Sequence, residues 1–194
     1  MAAEAYQFRV TLRDISPPIW RRILVSAKYS FWDLHVAIQD AMGWQDYHLH
    51  LFRIKGRHAH KVTEIGIPDP REKNDVLPGW EVPLRRHFND IGISAEYLYD
   101  FGDCWEHDVL LEGHLLREKG RKYPCCIGGE RACPPEDCGG PSGYDELFQL
   151  SHTCARRKRT VSWLGNAYDP EVFDPAAVKF SIPGVRWKKA FLRD

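Results

Sequence analysis

Four of the six cysteines in this 194-residue chain, Cys125, Cys126, Cys133 and Cys138, crowd into residues 123–144. Five glycines and four prolines share that stretch. A segment so rich in breakers suits neither a helix nor a central strand. It also buries too little apolar surface to order itself, and thiolates around a metal would hold it. Cys126, Cys133 and Cys138 do not follow a standard zinc-finger spacing. Glycine and proline nevertheless allow reversals sharp enough for three thiolates to converge on one Zn2+, with a histidine or carboxylate as fourth ligand. The competing reading makes these cysteines small buried hydrophobes. Cys125, directly beside Cys126, cannot easily share the same ion.

Histidines supply the second set of candidates. His48 and His50 alternate with Leu49. On a strand they would share a face with Phe52, about 6.6 Å apart. Two imidazoles so placed reach one ion or one substrate, or are simply half-exposed strand histidines. His107 shares a strand face with Trp105 and follows Asp103 in a turn. A carboxylate within reach would orient that imidazole, whereas a bond to a core carbonyl would make it structural. Glu136 and Asp137 lie in the cysteine stretch. These residues are expected to meet: His48, His50, Asp103 and His107 beside the 134–140 loop, with Trp105, Glu136 and Asp137 as binding residues. No G-x-S-x-G element and no phosphate loop is present, so metal-assisted hydrolysis is the nearest enzymatic chemistry.

The elements that must position these residues read as follows. Residues 6–13 alternate apolar and polar side chains, and after a Pro17-Pro18 connector 19–25 read as a second strand, broken by Arg21 and Arg22, that pairs with the first as a hairpin. Ser30 is an N-cap, and Leu34, Ile38, Ala41 and Met42 repeat at helical spacing up to Gly43. Residues 48–54 predict a third strand. Residues 55–83 are loop-like around a poor strand at 62–67, the pattern of a lid or an insertion. Residues 84–91 hold a helical turn, and 96–101 with 105–116 form a second hairpin around Gly102-Asp103. Helical spacing returns at 145–152 and 160–164, and Asp174-Pro175 opens a short helix. Strands thus occupy mainly the first two thirds. The expected fold is α+β in one domain, 1–194: an antiparallel sheet with helices packed on one face.

Charge narrows the function. Twenty-seven basic and 27 acidic residues give a formal charge of +0, unlike a dedicated duplex-DNA binder. The run Arg156-Arg157-Lys158-Arg159 is the local exception. The opening MAAEAYQFRV leads straight into a strand pattern, so no signal peptide is expected, and no apolar run approaches a membrane span. A cytoplasmic protein is expected, with reduced thiols.

A family resemblance covers about residues 6–178. Tyr99-Asp100-Phe101-Gly102-Asp103, Trp105-Glu106-His107, Tyr123-Pro124, Cys126, Cys133-Pro134-Pro135-Glu136-Asp137-Cys138-Gly139-Gly140 and Gly143-Tyr144 resemble the plasmid pRi ORF-three-like family. Some of its members carry the label of transposon passenger TnpR proteins. The resemblance implies an α+β domain found singly in prokaryotes and near mobile elements, with no settled activity. Cys104, Cys125 and Cys154 fall outside the shared pattern. The first functional reading is therefore a binding or adaptor-type domain with a zinc-stapled loop and a protein or small-molecule partner. A metal-dependent hydrolase using His48, His50, Asp103 and His107 is the alternative. A DNA-processing, resolvase-like accessory protein is a third reading, resting on the label and the basic run.

Overall fold

The computed structural model describes residues 4–55, 61–71, 75–152 and 168–192. His58, His60, Cys154, the basic run at 156–159 and the helix expected at 160–164 lie outside them. Eight strands form one sheet: β1 (Ala5–Leu12), β2 (Trp20–Ser26), β3 (His50–Lys55), β4 (Val62–Gly66), β5 (Leu77–Pro78), β6 (Ser94–Tyr99), β7 (Trp105–Leu115) and β8 (Cys125–Glu130). Their order is β5-β4-β3-β6-β7-β1-β2-β8. Neighbours run antiparallel except β4 and β5, which are parallel. The sheet is thus mixed, where a purely antiparallel one was expected.

Alternation makes the sheet two-faced. Along β1, Phe8, Val10 and Leu12 are buried while Arg9 and Thr11 are partly exposed. The buried face continues through Phe52, Tyr97, Tyr99, Trp105, His107 and Val109. The other face is a lattice of ion pairs: Arg13 with Glu96, Glu106 and Asp108, Arg53 with Glu64 and Glu96, and Arg22 bidentate on Glu112. An antiparallel sheet commonly solvates one face in this way.

Helix α1 (Phe31–Met42) starts with a capping box, Ser30 and Asp33 each bonding the other's backbone N–H. It ends at Gly43, whose φ of 89° only glycine adopts without cost. Phe31 packs against Phe52 and Phe88, which carries α1 onto the buried sheet face. Helix α2 (Gly140–His152) follows the cysteine stretch and sinks Tyr144 into the core. Helix α3 (Pro183–Phe191) docks on α1: Trp32 donates to the Pro183 carbonyl at 3.2 Å and Arg186 bonds Asp40 at 2.6 Å. The segment at 84–91 keeps a short 3-10 turn, Leu84–Arg86. Another, Pro175–Ala177, is capped by Asp174.

Residues 123–144 read as a loop, yet they contribute β8. It lies at the sheet edge, where glycine and proline are tolerated. The Phe173 ring packs on the sheet face at Gly129, and just past the strand's end the Ala132 amide bonds the Pro170 carbonyl at 3.0 Å. At the opposite edge β5 is two residues long and ends in Pro78.

Candidate functional site

His48 does not belong to β3. The strand begins at His50, and His48 lies in the loop after α1, so the alternation expected for the pair is lost. His50 turns inward, stacked on His35 with ring centroids 3.5 Å apart. His107 is also fully buried, its Nδ1 shared between the Tyr97 and Trp105 carbonyls. Trp105 is enclosed as well. Both histidines are therefore interior groups, and the surface expected to unite them with His48 does not form. Burial pushes the His107 imidazole down to about 4 and the His50 imidazole well below its ordinary value.

His48 instead meets two carboxylates. Its Nε2 lies 3.0 Å from Asp137 Oδ1 and 3.5 Å from Asp100 Oδ2. Asp100 closes the β6–β7 turn at φ 56°, where its Oδ1 accepts from the Gly102 and Asp103 amides at 2.9 and 3.3 Å. That leaves Oδ2 for His48. Asp137, also at φ 56°, comes from the 134–140 loop. Among the described residues, His48, Asp100 and Asp137 are the one group of three or more such side chains with ligand atoms all within 4.8 Å of one another. Three separate loops supply them.

The surrounding contacts fix those loops. Glu136 accepts from the Tyr99 hydroxyl at 2.6 Å and from the Gln45 amide at 2.7 Å. Burial first, and then the Glu136 carboxylate beside it, raises the Tyr99 phenol. The Trp44 indole donates to the Pro134 carbonyl at 2.9 Å and stacks on Tyr99. Asp103 accepts from the Gly139 amide at 3.1 Å. Gly140, at φ 70°, lies so close to the Asp103 carbonyl that a Cβ would collide with it, and a Cβ on Gly143 would strike the Cys138 carbonyl. The 134–140 loop therefore lies against the β6–β7 turn.

The cysteines are arranged differently. Cys126, Cys133 and Cys138 do not make a metal-sized group among the described residues. Cys126 Sγ lies 3.3 Å from the Gly128 carbonyl, and burial raises its thiol and pushes those of Cys133 and Cys138 up to about 12. Beside Cys126 and Cys133 sits the buried Arg21 guanidinium, bonded to the Ala41, Trp20 and Glu130 carbonyls and stacked 3.6 Å from the Phe173 ring. A fixed positive charge there opposes a second cation.

Sequence reasoning missed Asp100 and Trp44. Asp100 was legible as the aspartate that opens the DFGD turn, a residue type that tolerates positive φ. Trp44 gives no signal beyond its place after a helix-ending glycine.

Among the described residues, one mixed sheet of eight strands with three helices, carrying a histidine–aspartate–aspartate cluster on its loops, defines the class. A family model for plasmid pRiA4b ORF-3-like proteins matches residues 4–177, and the chain belongs to that family. It is 34% identical over 184 residues to the uncharacterized protein y4hQ of Sinorhizobium fredii (strain NBRC 101917 / NGR234), covering 93% of this chain and 89% of that one. The crystal structure of a protein of unknown function, MM3350 from Methanosarcina mazei Go1, superposes with a TM-score of 0.83 at 38% identity, covering 93% of this chain and 100% of that one. Among the described residues no helix is long and apolar enough to cross a membrane.

Proposed function

We propose that this protein is a metal-dependent binding domain, in which one divalent cation held by His48, Asp100 and Asp137 staples the 134–140 loop to the sheet. The observation that carries the reading is the spacing of the ligand atoms. A tetrahedral ion bonded at about 2.1 Å spaces its ligands by roughly 3.4 Å. His48 Nε2 stands 3.0 and 3.5 Å from the two carboxylate oxygens. One nitrogen and two carboxylate oxygens suit Zn2+ or a similar divalent ion. The stapled loop of the first reading is kept, with a histidine and two aspartates in place of the cysteines.

Metal analysis of untagged protein tests this. His48→Ala and Asp100→Asn should each lower zinc affinity more than about tenfold, because each removes one of three ligands. Cys126→Ser, Cys133→Ser and Cys138→Ser should leave it unchanged. The reverse pattern would return the ion to the cysteines.

A second reading, a metal-dependent hydrolase, is favoured by one feature: the Asp137 side chain is 64% exposed. Three protein ligands at an open surface leave a position for water, the arrangement of catalytic zinc. Zinc-dependent hydrolysis of an activated ester, lost in Asp137→Asn, would support it.

A further inference from the structure

The residues flanking the three proposed ligands are apolar and stand in solvent. Tyr47 and Leu49, either side of His48, are 71% and 52% exposed, and Phe101, next to Asp100, is 51% exposed. The backbone brings their segments together: the Asp100 amide bonds the Leu49 carbonyl at 3.0 Å. Exposed apolar groups collected around a polar centre mark an interaction surface. The charge of that centre selects the partner. Asp100, Asp103, Glu136 and Asp137 bring four carboxylates to this surface, and the partners described for them are one imidazole, one phenol and backbone amides. A divalent ion balances two of the four. Arg186 and Lys189 line a cavity with Tyr47, but among the described residues the charge left beside the ion is negative and attracts a cationic chain.

We infer that Tyr47, Leu49 and Phe101, with the neighbouring carboxylates, form a docking surface for a protein segment of mixed basic and apolar residues. The inference rests on the binding-domain reading and names its partner. Apolar side chains of the segment lie beside Tyr47, Leu49 and Phe101, and its lysines or arginines face Asp103 and Glu136. A donor such as histidine completes the ion's shell.

The experiment uses full-length zinc-loaded protein in 0.15 M salt and two amidated peptides. One alternates lysine and leucine around a central histidine; its twin carries glutamate in place of every lysine. The basic peptide should bind at least tenfold more tightly than the acidic one. A triple variant, Tyr47→Ser, Leu49→Ser and Phe101→Ser, should lose at least tenfold of that affinity while retaining its zinc and its melting temperature. Equal binding of the twins, or unchanged binding by the triple variant, overturns the docking surface. Repeating the titration without metal separates the two readings. Basic-peptide binding by a protein that takes up no zinc supports the surface and removes the ion. Normal zinc uptake without peptide binding removes the surface alone.

Discussion

The His107 ring is enclosed by Trp44, Trp105 and Tyr97 and is hydrogen-bonded through Nδ1 alone, so acid must unfold the chain to protonate it at moderate pH. Its folded value is about 4, against 6.5 for a free imidazole. Between those values the unfolded chain binds more protons than the folded one, so stability rises with pH across that window. Lowering the pH from above 6.5 towards 4 should cost on the order of 3 kcal/mol. His50 is displaced in the same direction and adds to the slope. Urea denaturation between pH 7.5 and 4.5 measures it, and His107→Asn, which keeps a donor near the Nδ1 position, should flatten part of it. A flat wild-type profile would show that these rings are not held neutral. The contrast with His48 shows where residue-level reading stops. Alternation put His48 and His50 on one face, but a strand that starts two residues later sends one imidazole into the core and leaves the other among carboxylates. Asp100 was half legible for a related reason: the turn that occupies one of its oxygens is local, whereas what meets the other depends on segments far along the chain.

Helix α1 was legible because everything that bounds it is local: a serine, an aspartate three residues later, and a terminal glycine. Ser30→Ala should cost about 1 kcal/mol, read as a shift in the denaturation midpoint. Helix α3 was not legible, since a nine-residue segment opening on Pro183 and Gly184 offers little propensity. It is held by aromatic contacts of Trp187 and Phe191 with Trp80, and of Phe191 with Trp32, all beyond its own sequence. Strand β8 escaped notice because two glycines follow two cysteines in it, and its order comes from pairing with β2. The docked loop makes a sharper prediction. Gly140→Ala combines a left-handed φ with a collision against the Asp103 carbonyl, and should destabilise the protein by about 1–3 kcal/mol. Because the same turn carries Asp100, zinc affinity should fall with it. A Gly140→Ala protein with unchanged melting and unchanged zinc binding would show that the loop is not pinned there.

Across the whole molecule, positive and negative charges cancel in number but not in place. Arginines and carboxylates interlock on the open sheet face, while among the described residues Asp100 and Asp137 of the site pair with one imidazole. Duplex DNA should therefore bind weakly and release readily in salt. A gel-shift titration giving a tight, sequence-selective complex at 0.15 M salt would favour the DNA-processing reading. The fold class was legible because period-two alternation recurs in β1, β3, β6 and β7. The strand order was not, since β7 pairs with β1 across most of the chain. The two ends of the sheet carry a further consequence. A protein with a formal charge of +0 has no long-range repulsion to keep its copies apart, and eight strands in a row would ordinarily be a template for fibres. Here the β5 margin is two residues long and its Pro78 offers no amide to an incoming strand, whereas β8 is the longer margin, at six residues. Pairing between copies is thus expected along β8 before β5, a consequence of how the two margins end.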